Sequence, residues 1–274
     1  MRLAAARNLG KAWLLVLILC AFFGAVGWAI GGYRAASLFV FCALLATAAV
    51  YAYADRALLG MLGAREFALA EDPRLRSTVD VLSAKLGILP PKLYLIVDGF
   101  PRAFVAGRGP RGSALAVSTG LLVALPPAEL EGVIAHELAH VRSRDVLVQT
   151  FATMLAVVLV ELSRIGGFLE RALLAVLGPT ASAFVHLLLS SKRELAADRV
   201  AAGLCGSPHG LADALLRLDQ ASELVSFAAN PATEPLYTTN PFAVEGLAAL
   251  FVTHPPLAER VAHLRGLEPA SAAA

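Results

Sequence analysis

Apolar residues run almost without interruption over 12–30 and again over 35–54, with only Gly31, Gly32, Tyr33 and Arg34 between them. Each run approaches the ~20 residues that a helix needs to cross ~30 Å of hydrocarbon, so the pattern predicts two helices joined by a tight turn. Two later runs, 146–162 and 173–189, are apolar but carry Gln149, Thr150 and Thr153 in the first and Gly178, Pro179, Thr180 and Ser182 in the second. Polar side chains within a span turn toward other helices, and these runs are read as a second pair. The expectation is an α-helical membrane protein with four predicted transmembrane helices.

Between and after these runs the period changes. Asp72-Pro73 reads as a helix start, followed by Leu75, Val79, Leu82 and Leu86 at helical spacing up to Gly87. Residues 92–97 alternate, 113–118 are β-rich, and a third strand is placed near 102–106, with turn chemistry at Asp98-Gly99 and from Gly107 to Gly112. These three predict a small sheet of antiparallel type. Pro126-Pro127 opens a helix with Leu130, Val133, Ile134, Leu138 and Val141, which leads without a breaker into the third apolar run. The chain thus divides into an N-terminal hairpin (1–54), a first soluble part (55–145), a second hairpin (146–190) and a second soluble part (191–274).

Composition sharpens this. Hydrophobic residues make up 58% and charged residues 16%, against ~45–50% and ~25% in ordinary soluble domains, so a lipid bilayer is the first implied partner. A net charge of +2 offers no basic excess for neutralising phosphates, which excludes nucleic acid as a partner. Cys20 and Cys42 lie in apolar runs and Cys205 stands alone, so no disulfide framework is proposed. Arg2, Arg7 and Lys11 precede the first run while Arg34 alone sits in its turn, which orients the N-terminus to the cytoplasm. Two pairs of spans then return Lys192 and Arg193 to that side. The expected placement is a bacterial-type inner membrane, multi-pass, with both termini and the soluble parts cytoplasmic. A cleaved signal peptide is the rival reading of the first run, but no small-residue cleavage site precedes a soluble stretch.

The helix after Pro127 contains His136-Glu137-Leu138-Ala139-His140. Two imidazoles one turn apart on one face can share a metal ion, and Glu137 between them lies where it takes a proton from an activated water and returns one to a leaving amine. A catalytic zinc site wants a third protein ligand, and Glu194 in Lys192-Arg193-Glu194-Leu195-Ala196-Ala197-Asp198-Arg199 is the candidate. Asp198, one turn on, is placed to orient a ligand imidazole. Spacing alone leaves a second reading open, in which Glu194 and Asp198 are solvated partners of Lys192, Arg193 and Arg199.

With these motifs in order, the chain resembles the membrane-embedded zinc metalloproteases of the HtpX/Ste24 type, peptidase family M48. The resemblance extends to Thr253-His254-Pro255-Pro256-Leu257-Ala258-Glu259-Arg260 and spans nearly the whole chain. It implies an α+β, zincin-like protease domain with one Zn2+ held by His136, His140 and Glu194, Glu137 as general base, and Asp198 supporting the site. It also implies that His254 stabilises the oxyanion; Arg260, six residues on in the helix that follows, is a weaker candidate for that pocket or a partner of Glu259. The family usually has Asn-Ala-Phe where this chain has Arg102-Ala103-Phe104, ahead of Val105. That strand is expected to receive an extended substrate through its backbone, with Arg102 altering any side-chain contact.

The implied function is an integral-membrane zinc endopeptidase cleaving membrane or misfolded polypeptides on the cytoplasmic side, in membrane-protein quality control. A catalytically inactive metal-binding scaffold is the alternative, although a scaffold has no use for Glu137. A transporter needs ionisable residues inside its spans, and the first two runs have none. No oligomeric state is implied.

Overall fold

The computed structural model describes residues 2–68, 71–164, 170–224, 231–236 and 250–267. Helix α1 (Arg2–Met61) carries the first two apolar runs as one element, broken where Gly31 and Gly32 leave helical geometry. Gly32 takes φ 65°, which a residue without Cβ enters freely. The halves fold back on each other closely enough that a Cβ on Gly27 would lie 2.7 Å from the Ala36 backbone.

A short strand β1 (Ala64–Glu66) follows, then α2 (Pro73–Leu86). Asp72 caps α2 by accepting from the Arg74 and Leu75 amides, and Gly87 closes it in the left-handed conformation, as the sequence predicts. Strands β2 (Lys92–Ile96), β3 (Ala103–Gly107) and β4 (Ser113–Ser118) complete a sheet of order β1-β2-β4-β3. Helices α3 (Thr119–Ala124), α4 (Pro127–Ser143), α5 (Asp145–Arg164), α6 (Glu170–Leu188), α7 (Ser191–Cys205) and α8 (His209–Leu224) come next. A 3-10 turn (Pro231–Leu236) and α9 (Leu257–Arg265) close the described chain.

The sheet corrects one expectation. It is mixed: β2 runs parallel to β4, with Lys92 opposite Ala114 and Ile96 opposite Ser118, while β1–β2 and β3–β4 are antiparallel. The reason is that β3, although it lies between β2 and β4 in sequence, docks on the outer side of β4. The connection from β2 to β4 is therefore long enough for a crossover. β3 is buried on both faces, Val105 against the core beneath α2 and α4 and Phe104 against Leu58 of α1. Strands covered on both sides lose the alternation that exposes a period of two.

The apolar runs correct a second expectation. Among the described residues one helix, Leu9–Met61 within α1, is long and apolar enough to cross a membrane. The four predicted transmembrane helices are not borne out, and with them falls the multi-pass placement with both termini cytoplasmic. In α5 the apolar stretch Asp145–Val158 is short, and its residues Val148, Phe151, Ala152 and Val157 pack with Val185 and Leu188 of α6 and Leu15 of α1. Its polar residues serve protein contacts: Thr150 Oγ1 accepts from the Gly107 amide at 3.0 Å, and Gln149 Oε1 accepts from Arg193 at 2.9 Å. Nor does α4 run into α5, because Arg144, with φ 61°, breaks the chain between them.

Candidate metal centre

The site begins with the seat of α4. Val133, Ile134, Leu138 and Val141 pack into the core beneath the sheet, beside Leu211 and Leu215 of α8. The two helices touch at backbone level: a Cβ on Gly132 would lie 2.8 Å from the Leu211 amide nitrogen. Arg217 of α8 forks onto Glu129 in the first turn of α4, at 2.7 and 2.9 Å. With the apolar face so fixed, His136, Glu137 and His140 lie buried in the interior.

Helix α7 brings Glu194 to them. His136 Nε2 and His140 Nε2 are 3.2 Å apart, Glu194 Oε2 is 3.3 Å from the first and Oε1 is 3.6 Å from the second. Four donors at ~2.0–2.1 Å around a tetrahedral ion stand ~3.3–3.4 Å from one another, so this triangle has the size of a zinc face. The polar groups also ask for a cation. Both carboxylate oxygens of Glu194 are buried and accept no well-aligned hydrogen bond, a state that a native protein leaves only where another partner belongs. Among the described residues these three are the group whose donor atoms converge to hold a metal ion.

Each imidazole is steadied from behind. His136 Nδ1 lies 2.8 Å from Asp198 Oδ1, and His140 Nδ1 lies 3.4 Å from Asp145 Oδ2. Arg260 of α9, buried, donates to both oxygens of Asp198 at 2.9 and 2.6 Å. His254, just before α9, places Nε2 3.5 Å from Glu194 Oε2.

The electrostatics follow. Burial by itself pulls the His140 pKa down, but the charge of Glu194 and hydrogen bonds to Asp145 and Glu194 outweigh it and push it up to about 10. His136 is raised by Asp198 and Glu194 against the same penalty of burial. Burial favours a neutral Glu194, yet the charges of His254, His140 and Arg193 hold it well below the usual carboxylate range. The carboxylate charge of Glu194, Asp198 and Asp145 that raises both imidazoles is the same field that attracts a cation.

His136, Glu137, His140, Glu194, Asp198, His254 and Arg260 are thus all brought into one buried cluster, with Arg260 lying in the field of Asp198, Glu194 and Glu137. The solvated reading of Glu194 and Asp198 fails, since both are buried. Arg102, Ala103, Phe104 and Val105 are also buried, along β3 and at its entry. The guanidinium of Arg102 donates to Asp98 Oδ2 at 2.6 Å. Sequence reasoning missed Asp145 and Arg193. Asp145 reaches back to His140 only because Arg144 is left-handed, and nothing in the spacing announces that. Arg193, 3.2 Å from Glu194 Oε1, reads in the sequence as one more surface cation.

Comparison with known proteins agrees with this geometry. The family model described as peptidase family M48 matches residues 69–268. The chain is 42% identical to the protease HtpX homolog of Acidiphilium cryptum, over 94% of this chain and 96% of that one. It is 38% identical to the homolog of Pelotomaculum thermopropionicum, over 94% and 98%. It is also 35% identical to the homolog of Pyrococcus abyssi, over 92% and 95%. Among solved structures, the crystal structure of S. mikatae Ste24p matches with a TM-score of 0.51 at 18% identity, covering 96% of this chain and 66% of that one, a likeness of fold. The mixed sheet, the paired histidines one turn apart and the carboxylate delivered by a later helix are joined here to a family match over most of the chain, and the chain belongs to peptidase family M48, the metalloproteases of the HtpX kind.

Proposed function

We propose that this protein is a zinc-dependent endopeptidase held at a bilayer by α1, cleaving membrane or misfolded polypeptides. The observation that carries the reading is the convergence of His136, His140 and Glu194, with both Glu194 oxygens buried and accepting no well-aligned hydrogen bond. The exposed Trp13, Leu17, Phe22, Trp28 and Phe41 of α1 support the bilayer, because soluble surfaces rarely expose so much contiguous apolar area.

In this reading His136, His140 and Glu194 hold one zinc ion. Asp198 and Asp145 accept from the Nδ1 sides of the two imidazoles, fixing the tautomer whose Nε2 lone pair faces the ion. Zinc, when bound, supplies a Lewis acid that polarises the scissile carbonyl and eases ionisation of a water. Glu137 takes that water's proton and passes it to the leaving amine, work worth roughly 10²–10⁴ in rate. His254 donates to the carbonyl oxygen as negative charge develops there. Arg260 acts through Asp198, whose charge it holds in place.

The edge strand β3 supports a route for substrate. Arg102 and Arg108 exchange hydrogen bonds with the β4 side, at Ser118 and Gly112. The residues between them in register, Ala103, Val105 and Gly107, therefore turn their backbone groups away from β4. Val105 is fully buried and Gly107 gives its amide to Thr150, so an extended polypeptide that displaces the cover over Val105 extends the sheet there, with affinity from the main chain. Arg102, tied to Asp98, adds no more than a charge at the entry to this edge.

The test uses the full chain purified in detergent, with zinc counted per molecule and casein cleavage followed. Glu137→Gln is expected to keep zinc and lose cleavage by at least about a hundredfold, and Glu194→Ala to lose both. Wild-type protein that binds zinc yet cleaves nothing, or an active Glu137→Gln, sinks the protease reading in favour of a metal-binding scaffold.

A further inference from the structure

Where the apolar part of α1 ends, the protein gathers positive side chains that the metal centre does not use. Arg56 of α1, Lys92 at the start of β2, and Arg108 and Arg111 in the β3–β4 turn line one cavity of about 290 Å³. All four are exposed, and among the described residues none of them forms an ion pair. The one carboxylate in the lining, Asp55, accepts from the Arg56 amide at 2.9 Å. Four cations therefore face a single acid, an arrangement that attracts an anion.

A second cavity, of about 520 Å³, lies between the two halves of α1 and α5, with Phe23, Phe39, Val50, Phe151 and Leu155 in its walls. Its one hydroxyl, on Thr47, donates to the Ala43 carbonyl of its own helix at 2.8 Å and offers a ligand little. A narrow gap of about 10 Å³ lies between the two: it shares Val50 and Phe151 with the apolar cavity and Asp55 and Arg108 with the basic one. At the junction the Arg108 guanidinium sits 5.8 Å from the centre of the Tyr51 ring. Tyr51 is exposed there, at the level where aromatic side chains favour the boundary of lipid and water.

An anion site set beside an oily slot, with one narrow gap between them, is the outline of an amphiphile. We propose that this is a binding site for one anionic phospholipid, with its phosphate among Arg56, Lys92, Arg108 and Arg111 and an acyl chain in the slot between α1 and α5. The adjacency of the two cavities across this gap is what favours a lipid over a free phosphate, since inorganic phosphate leaves the apolar cavity unfilled. The site rests on α1 lying in a bilayer. Because the gap borders Gly107, the last residue of β3, a lipid held there braces the end of the strand proposed to take substrate.

The test titrates full-length, delipidated protein in detergent with phosphatidylglycerol and with phosphatidylcholine of the same chain length, counting retained lipid by native mass spectrometry. Phosphatidylglycerol is expected to bind at least about tenfold more tightly, and the double variant R108E/R111E to lose that preference. Ala46→Trp, which fills the slot, is expected to weaken phosphatidylglycerol binding while leaving zinc content unchanged. Equal retention of the two lipids by wild type, or an undiminished preference in R108E/R111E, overturns the proposal. So does full displacement of the lipid by millimolar inorganic phosphate, which makes the basic cavity a free-anion site. Flotation with neutral vesicles separates the two readings: failure to float overturns the bilayer role of α1, whereas flotation without headgroup preference overturns the lipid site alone.

Discussion

Asp198 illustrates how a single side chain sets the readiness of a histidine to bind metal. It holds His136 from behind at 2.8 Å and is itself gripped by the Arg260 fork. Burial raises its pKa, but the charge and hydrogen bonds of Arg260, with help from His136, overcome this and hold it at about 2. An unfolded Asp titrates near ~3.9, so the carboxylate stabilises the fold fully above that pH, and the contribution is lost as pH falls toward the folded value. Glu194, also held low, acts in the same direction. Metal-free protein is therefore expected to lose urea resistance between about pH 4 and 2, and Asp198→Asn to flatten that acid limb while keeping the part due to Glu194. An unchanged limb in the variant refutes the assignment. With metal, Asp198→Asn is expected to weaken zinc binding by roughly 10–100-fold, read by chelator competition. At this scale the sequence was legible where chemistry has a fixed spacing, as in His136, Glu137 and His140. It was silent on Asp145 and Arg193, whose roles depend on a left-handed Arg144 and on the burial of α7.

Among the elements, α4 carries the site and its position is set by what lies behind it. Alanine favours a helix over glycine by up to ~1 kcal/mol, so propensity alone makes Gly132→Ala stabilising. Yet the added Cβ meets the Leu211 backbone at 2.8 Å, and overpacking against backbone costs about 1–3 kcal/mol. The variant is expected to melt several degrees lower than wild type by calorimetry, with cleavage reduced as α4 shifts. A melting temperature equal to or above that of wild type shows that the α4–α8 contact yields easily. Helix α2 was readable to the residue, since Asp72, Pro73 and Gly87 are local signals with local causes. Helices α5 and α6 were not. Hydropathy reports that a surface avoids water and says nothing of what covers it; here the cover is largely the other helix and α1. The strand order was equally hidden, because β3 reaches the far side of β4 by a choice between two edges that no single strand encodes.

For the whole molecule, the proposed zinc ties together distant parts of the chain: α4 supplies two ligands and α7 the third, with His254 and α9 packed behind. A ligand that binds only the folded state stabilises it by ~4 kcal/mol at a free concentration a thousandfold above its dissociation constant. Zinc is therefore expected to raise the melting temperature and EDTA to lower it, while Glu194→Ala becomes indifferent to both. A melting temperature unmoved by metal in wild type contradicts a site that joins α4 to α7. What the sequence by itself determined is the chemistry and its partners in outline: two imidazoles and a glutamate one helical turn across, a candidate carboxylate on a later helix, two apolar N-terminal runs joined by a tight turn, and a family with all of these in order. Such features follow from residue type and short-range periodicity, which a chain carries whatever it packs against. Only the tertiary structure decided that Glu194 and Asp198 are buried rather than solvated, that Arg260 neutralises Asp198 from α9, that the sheet is mixed, and that among the described residues one helix rather than four is long and apolar enough to cross a membrane. Each of these depends on which surface meets which across tens of residues. That is settled by the competition among all the apolar faces at once, and no local stretch of sequence contains it.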